Sequence, residues 1–174
     1  GVSTRLIGGL IMTHADDDGM VMPPKIAPAQ VVLLPIMKKG ADPQMVMDYV
    51  NTLADQLRQK PYAGRPLSVE IDDRDIGGTR NWDWIKKGIP LRVEIGPKDI
   101  EKNSVFVARR DKPHREKTSI ESAAFVDGIT DLLDDIQANL FDRAVAYANA
   151  NTITIDGKDD FYKFFTPANP EQPE

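Results

Sequence analysis

Short apolar runs along the chain have the spacing of β-strands. Residues 30–36 are an almost uninterrupted apolar run, which is typical of a central parallel strand buried on both faces. Residues 91–95 instead alternate apolar and charged positions, as in a strand whose two faces meet different surroundings. Further strands are predicted at 67–71 and 104–109, and residues 115–120 are predicted to return antiparallel to the strand before them.

Apolar positions three and four residues apart predict helices between these strands. The first covers 43–60, with Asp42 as its cap, and a short helix covers 81–87. One long helix is predicted over 122–149, where it would cover a face of the sheet, and a short aromatic turn at 159–165. Strand and helix alternate up to the third strand, which predicts parallel strands joined by right-handed crossovers.

The segment before the first strand has a different character. It is strongly apolar after Arg5, and Ser3 or Thr4 is placed to cap a short helix. The aspartates of 16–18 then form a turn signal, and prolines between 23 and 28 mark a stiff linker. The predicted divisions of the chain are residues 1–22, 23–29, 30–151 and 152–174.

The overall composition narrows the possible function classes. Of 174 residues, 41% are hydrophobic and 28% are charged, which supports a packed core. The formal net charge of −5 disfavours a non-specific nucleic-acid binder, so an RNA partner would be recognised through chosen bases and one basic patch. No apolar run approaches the length of a membrane span, and we expect a cytoplasmic protein.

Several kinds of reactive site are missing from the sequence. The chain has no cysteine, which excludes disulfides and thiolate chemistry, and His14 and His114 are too far apart in sequence to suggest a metal site. Neither a P-loop nor a Ser-His-Asp arrangement can be assembled, so we expect no catalysis by this chain alone. The absence of an initial methionine and a tail rich in proline and glutamate lead us to expect that both ends are cuts in a longer protein.

Charged residues follow two of the predicted strands at the edge where ligands bind in open α/β sheets. Gly96-Pro97 is expected to break the strand 91–95 and to present Lys98 and Asp99, while Asp75 follows the strand 67–71. A cationic donor beside an acidic acceptor suits the edge of a guanine, whose O6 and N7 accept while N1 and N2 donate. The alternative is a strand followed by a solvated turn.

Two positions are candidates for phosphate contacts. Arg109, Arg110 and Lys112 belong to the only clearly basic segment, which is either a solvated hairpin or a phosphate-contacting patch. Arg5 lies near a helix start, where a phosphate can be held. Neither position is decisive by itself.

Several stretches, taken together and in order, resemble one family. GVSTRLIG at the start resembles motif 3 of class II aminoacyl-tRNA synthetases. The stretches 14–36, 72–76 and 86–101 resemble prolyl-tRNA synthetases of the archaeal/eukaryotic-like type, and the similarity continues to about Pro170. The resemblance implies a mixed, mainly parallel five-stranded sheet with helices on both faces, as in the class IIa anticodon-binding domain. It also implies that residues 1–22 end a catalytic domain and that 152–174 lead towards a further C-terminal domain.

The resemblance further implies a parent enzyme that uses ATP and Mg to activate L-proline and then transfers it to tRNA(Pro). Arg5 matches the motif-3 arginine that contacts ATP phosphate. The remaining catalytic motifs are absent, so the fragment is expected to be inactive and to need no cofactor of its own. The intact enzyme is expected to be a homodimer through its catalytic domain, and the fragment a monomer.

For the anticodon, the family residues that read the two guanines match Arg92, Lys98 and Asp99. Asp83 matches an acidic family position, but the acidic residue usual after the helix tryptophan is Ile85 here. An aromatic family position falls on Asn81, so neighbouring Trp82 is the candidate for base stacking. The alternative function is a protein-interaction module of the same fold without an RNA role.

Overall fold

The structure is a computed structural model that describes residues 3–38 and 42–167. The first two residues of the motif-3 stretch, residues 39–41 before the predicted helix cap Asp42, and the end of the 152–174 segment lie outside the described residues. The chain divides into two compact units, Gly1–Asp142 and Arg143–Glu174. No helix among the described residues is both long enough and apolar enough to cross a membrane.

Short strands and seven helices make up the described part of the chain. The strands are β1 (Ala15–Asp16), β2 (Gly19–Met20), β3 (Val31–Pro35), β4 (Pro61–Tyr62), β5 (Arg65–Pro66), β6 (Val69–Ile71), β7 (Leu91–Ile95), β8 (Ser104–Arg109) and β9 (Lys117–Glu121). The helices are α1 (Arg5–His14), α2 (Pro43–Arg58), α3 (Thr79–Lys87), α4 (Pro97–Glu101), α5 (Ser122–Asp127), α6 (Ile129–Ala150) and α7 (Lys158–Phe165).

Five of the strands form one mixed sheet in the order β6-β3-β7-β8-β9. β3 pairs in parallel with both β6 and β7, so Val31 lies between Val69 and Leu91. β8 runs antiparallel to both β7 and β9. Four of the five strands therefore point the same way, and the predicted mixed, mainly parallel sheet is confirmed.

The two faces of the sheet are covered by different helices. The larger core lies on the side of α2, α5 and α6, where Leu33 and Val93 meet the buried positions of those helices. On the other side, Val32 and Leu34 pack with Ile89 and with Trp84 of α3. Apolar residues at successive positions of β3 therefore serve both cores, which explains its almost uninterrupted apolar run. Helices on both faces are confirmed.

The prediction of a single long helix over 122–149 is wrong. It is divided at Gly128, whose φ of −92° and ψ of 6° interrupt the helix between α5 and α6. The Gly128 backbone N–H still donates to the Ala124 carbonyl, and Leu132 donates to Gly128, so the chain turns with its hydrogen bonds largely retained. Helical spacing of apolar residues continues across the break, which is why the sequence pattern did not show it.

The predicted polar exit after β7 is a short helix instead, α4. Pro97 occupies its first turn, and the Asp99 carboxylate accepts a hydrogen bond from the Gly96 backbone N–H at 2.9 Å. Proline at a first helical position and an acidic residue three positions after the cap are features of a helix start. Gly96-Pro97 therefore both ends β7 and begins the helix α4.

The end of α3 is formed as predicted, and it rests against the β1–β2 hairpin. Gly88 adopts the left-handed conformation with φ 75°. Its carbonyl accepts a hydrogen bond from the Met22 N–H at 3.0 Å. A Cβ on Gly88 would lie 2.5 Å from the Met20 carbonyl oxygen, so the close approach of the two backbones requires glycine here.

The second unit contains the end of α6 and the helix α7. The aromatic residues of α7 contact one another, and the rings of Phe161 and Phe165 are 4.8 Å apart between centroids. These side chains are exposed within the described residues. The predicted short aromatic turn at 159–165 is thus present, as the helix α7.

Candidate nucleic-acid interface

An open cavity of about 1010 Å³ lies on the α3 side of the sheet, by the carboxyl ends of β3 and β7. We call it the α3 cavity. The sheet forms its floor, and the loop after β6, helix α3 and the segment before β9 form its walls. Its lining residues are Leu34, Pro35, Ile36, Met37, Asp73, Arg74, Asp75, Gly77, Gly78, Arg80, Asn81, Trp82, Ile85, Glu94, Phe106, His114, Arg115 and Lys117.

The floor of the α3 cavity combines one aromatic ring with an ion pair. Phe106 lies directly opposite Glu94 on β7 and opposite Ser119 on β9. Lys117 extends from β9 across β8, and its Nζ lies 2.6 Å from the Glu94 Oε1 and 5.7 Å from the centroid of the Phe106 ring. Hydrogen-bond donors and acceptors therefore surround an apolar surface.

The loop after β6 is held in place by a buried carboxylate. Asp72 accepts hydrogen bonds from the Arg74 Nε at 2.9 Å, the Arg74 Nη2 at 2.8 Å and the Trp84 Nε1 at 2.6 Å. The Arg74 hydrogen bonds, and to a smaller extent that of Trp84, lower the pKa of Asp72 to about 2. Arg80 donates to the carbonyls of Asp72 and Pro35, at 3.1 and 2.8 Å, and so ties the loop to the end of β3.

Three of the predicted anticodon residues lie around the α3 cavity. Asp75 is exposed on the loop after β6, and its side chain has no hydrogen bond to any of residues 3–38 or 42–167. Trp82 is 40% exposed and contacts the His114 ring at a centroid distance of 5.0 Å. Asp83 is not a lining residue, but its carboxylate lies 3.3 Å from the Arg74 Nη2.

Arg92 lies under α3 instead of on the rim. Its side chain is almost completely buried, and its Nε donates to the Asn81 Oδ1 at 3.0 Å. Both of its Nη atoms are buried without a hydrogen-bond partner in the described residues. Burial, and then the neighbouring charge of Arg110, lower the pKa of Arg92 to about 10. A buried guanidinium with two unused donor groups is uncommon, because leaving such donors unpaired is costly.

Lys98 and Asp99 are located on α4, at the carboxyl end of β7. Lys98 is exposed and has no ion-pair partner in the described ranges, while Asp99 is half-buried at the start of the helix. Helix α4 packs near α2 and β8, and neither residue lines the α3 cavity. The structure therefore places Asp75 in this cavity but does not bring Lys98 and Asp99 into it.

The basic segment after β8 differs from the exposed patch considered in the sequence. Arg110 is buried, and its guanidinium binds the Asp16 carboxylate at 2.5 and 2.7 Å and the Ile85 carbonyl at 3.0 Å. Arg109 binds Asp111 at 2.7 Å and Asp135 at 2.5 Å. Both guanidinium groups are thus paired within the protein, that of Arg109 by nearby Asp111 and by Asp135, and that of Arg110 by Asp16, 94 positions away.

Two other predicted phosphate contacts remain exposed. Lys112 lies 3.4 Å from Glu116, four residues further along the chain. Arg5 is the first residue of α1 and does not line the α3 cavity. The described residues contain no group of three or more His, Asp or Glu side chains that could hold a metal ion. Among the described residues, an Mg site for nucleotide chemistry therefore finds no fit.

Sequence reasoning missed part of the cavity floor. The alternation of residues along β8 gave a signal, because Phe106 lies between the buried core residues Val105 and Val107 and so faces the opposite side. On β7, Glu94 likewise lies between the buried residues Val93 and Ile95, and so it faces the cavity side of the sheet. That Lys117 joins these two side chains depends on the pairing of β8 with β9, which the sequence pattern does not specify in register.

Comparisons with known proteins agree with this architecture. Residues 30–131 match a family model described as an anticodon binding domain. Proline–tRNA ligase 2 of Anaeromyxobacter dehalogenans is 48% identical over 174 residues, covering 99% of this chain and 34% of that protein. The proline–tRNA ligase of Bdellovibrio bacteriovorus is 49% identical over 167 residues, covering 95% of this chain and 34% of that protein.

A solved structure gives the same result at the level of the fold. The crystal structure of prolyl-tRNA synthetase from Cryptosporidium parvum, complexed with L-proline and AMP, matches with a TM-score of 0.80 at 38% identity. The match covers 92% of this chain and 32% of that one. The chain thus spans about a third of the length of the relatives it matches.

Proposed function

The chain belongs to the anticodon-binding domain family, and from this premise we propose that it reads the guanines of the tRNA(Pro) anticodon for a proline–tRNA ligase. The α3 cavity is the observation that carries this proposal. It lies within the residues that match the family, at the carboxyl ends of parallel strands. Four basic and three acidic side chains line it, namely Arg74, Arg80, Arg115, Lys117, Asp73, Asp75 and Glu94.

A mixture of donors and acceptors suits base edges better than phosphates alone. Guanine presents two acceptors and two kinds of donor, so both signs of charge are useful in one site. A phosphate-binding groove would instead be uniformly basic, and the formal net charge of −5 argues against one. Of the residues predicted to bind the anticodon, Asp75 and Trp82 line the cavity and are therefore proposed to contact a base there.

Arg92, which is buried beneath α3, is also proposed to contact a guanine. Its two unpaired Nη groups are suited to the O6 and N7 of a guanine, the commonest specific contact of arginine with a base. Because Arg92 is buried, this contact requires Asn81 or α3 to move when the RNA enters. Lys98 and Asp99 are proposed to contact a second nucleotide from α4.

The parent enzyme proposed from the relatives is a ligase that joins L-proline to tRNA(Pro) with ATP and Mg. Arg5 would contact an ATP phosphate in that enzyme, as its place at the start of α1 permits. We propose that the enzyme is a cytoplasmic homodimer and that the chain described here is a monomer without catalytic activity.

Binding of short RNA hairpins to the chain tests the proposal. One hairpin carries the anticodon loop of tRNA(Pro), and the control carries adenine in place of both anticodon guanines. We expect the chain to bind the first at least about tenfold more tightly, because each good base-edge contact contributes about 1–3 kcal/mol of discrimination. Fluorescence anisotropy at low and moderate salt measures both affinities. Equal affinities would contradict guanine reading, and no binding to either RNA at low salt would favour a protein-interaction module.

A further inference from the structure

An aromatic ring lies on the floor of the α3 cavity and belongs to neither of the two hydrophobic cores. Phe106 is half-buried and faces the cavity, whereas Val105 and Val107 on either side are buried in the opposite core. The ring instead presents apolar surface to an open, water-accessible cavity.

We propose that Phe106 is a stacking platform for one unpaired base of a single-stranded RNA loop, an inference that rests on the function proposed above. Bases splayed out of a loop stack on aromatic side chains, and aromatic residues on an exposed sheet face are a common form of this arrangement. The α3 cavity, at about 1010 Å³, is large enough to hold a nucleobase.

The neighbours of Phe106 are suited to the edges of a stacked purine. Glu94 and Ser119 lie opposite it on the two adjacent strands, and Lys117 places a donor at the side of the ring. A guanine on the ring would present its N1 and N2 donors to a carboxylate and its O6 to a donor. The 5.7 Å between the Lys117 Nζ and the ring centroid is at the outer limit of a cation–π contact, so this contact is readily replaced by a base.

The role of Phe106 is distinguishable from a general effect on folding or charge. Phe106→Leu keeps an apolar side chain but removes the ring face, and Phe106→Tyr keeps the face. Phe141→Leu is a matched control, because Phe141 is also an exposed phenylalanine but lies on α6, outside the cavity. Thermal unfolding shows whether each variant keeps the wild-type stability.

We expect Phe106→Leu to weaken binding of the tRNA(Pro) anticodon hairpin about tenfold or more, the usual effect of removing a base-stacking aromatic residue. The slope of log affinity against log salt stays unchanged, since stacking neutralises no phosphate. Phe106→Tyr and Phe141→Leu are expected to bind like the wild type.

Hairpins with a single abasic site at each anticodon position identify the stacked nucleotide. At one position, the wild type and Phe106→Leu are expected to bind the abasic RNA equally, because the stacking partner is already absent. Wild-type affinity of Phe106→Leu for the intact hairpin, or the same factor of loss for every abasic RNA, would overturn the stacking role while leaving guanine reading intact. A wild-type chain that binds no hairpin would overturn both proposals.

Discussion

Asp72 shows how one buried carboxylate fixes the wall of the α3 cavity. Its side chain is only 3% exposed and accepts hydrogen bonds from Arg74 and Trp84. These donors stabilise the ionised form, so the pKa in the folded protein is about 2, below the value of 3.8 expected without them. A carboxylate of this kind contributes stability above about pH 4 and loses it as the pH falls towards 2.

We therefore predict that in Asp72→Asn the free energy of unfolding depends less on pH below about pH 4 than it does in the wild type. Between about pH 4 and 2 the wild type should lose about 1–2 kcal/mol more of its unfolding free energy than the variant, after allowance for solvent around half-exposed Arg74. Urea unfolding at several pH values measures the difference. Parallel curves for the two proteins would show that Asp72 does not titrate as described.

Asp99 is suited to a separate residue-scale test, because it caps α4 through the Gly96 N–H. In Asp99→Asn, the amide oxygen can still accept that hydrogen bond, while the negative charge that we propose faces guanine N1 and N2 is lost. We expect this variant to keep its melting temperature and to lose about 1–3 kcal/mol of discrimination between guanine and adenine hairpins. Asp99→Ala should in addition lose about 1 kcal/mol of stability with the cap. An unchanged guanine preference in Asp99→Asn would refute the anticodon role of Asp99.

At the scale of elements, the contact of the β1–β2 hairpin with the end of α3 depends on glycine. Gly88 and Gly64 both have positive φ, 75° and 79°. A Cβ at Gly88 would meet the backbone of Met20, whereas nothing lies within 4 Å of a Cβ at Gly64. The pair thus separates backbone strain from steric conflict.

We predict that Gly64→Ala costs about 1 kcal/mol through left-handed strain alone. Gly88→Ala should cost clearly more, since the hairpin must also move away from α3. Chemical denaturation of both variants measures the two costs. Equal losses of stability would mean that the hairpin does not press against Gly88 in solution.

Elements with a strong local signal were predictable from the sequence. The spacing of apolar residues located β3, β7, β8 and α2 to within a few residues, and the predicted end of α3 at residue 87 is the observed one. The break at Gly128 was not predictable, because the apolar spacing continues through it. The start of α4 was missed because glycine and proline signal both the end of one element and the beginning of another.

At the scale of the whole molecule, contacts distant in sequence were the least predictable feature. Asp16 was interpreted as part of a solvated turn, and Arg110 as part of an exposed patch. They bind each other across 94 positions of sequence. The hydrogen bond lowers the pKa of Asp16, consistent with its pairing to a buried guanidinium. No local pattern reports which acidic residue will meet which arginine.

The candidate site was predictable only in outline for the same reason. The carboxyl edge of the sheet was found from the order of strands and helices, and Asp75 and Trp82 line the α3 cavity there. The separation of Lys98 and Asp99 from this cavity arises because α4 turns the chain towards α2. Phe106, Glu94 and Lys117 come together only through strand register.

The location of the bound RNA tests the central claim most directly. Amide and indole NMR signals of the isotope-labelled chain are followed while the tRNA(Pro) anticodon hairpin is added, and again with the hairpin that carries adenines. We predict shift changes concentrated at residues that line the α3 cavity, including Asp75, Trp82 and Phe106, and clearly larger with the guanine hairpin when both RNAs are compared at the same concentration below saturation. Changes confined to other surfaces, or equally large changes with both hairpins at that concentration, would contradict anticodon reading in this cavity.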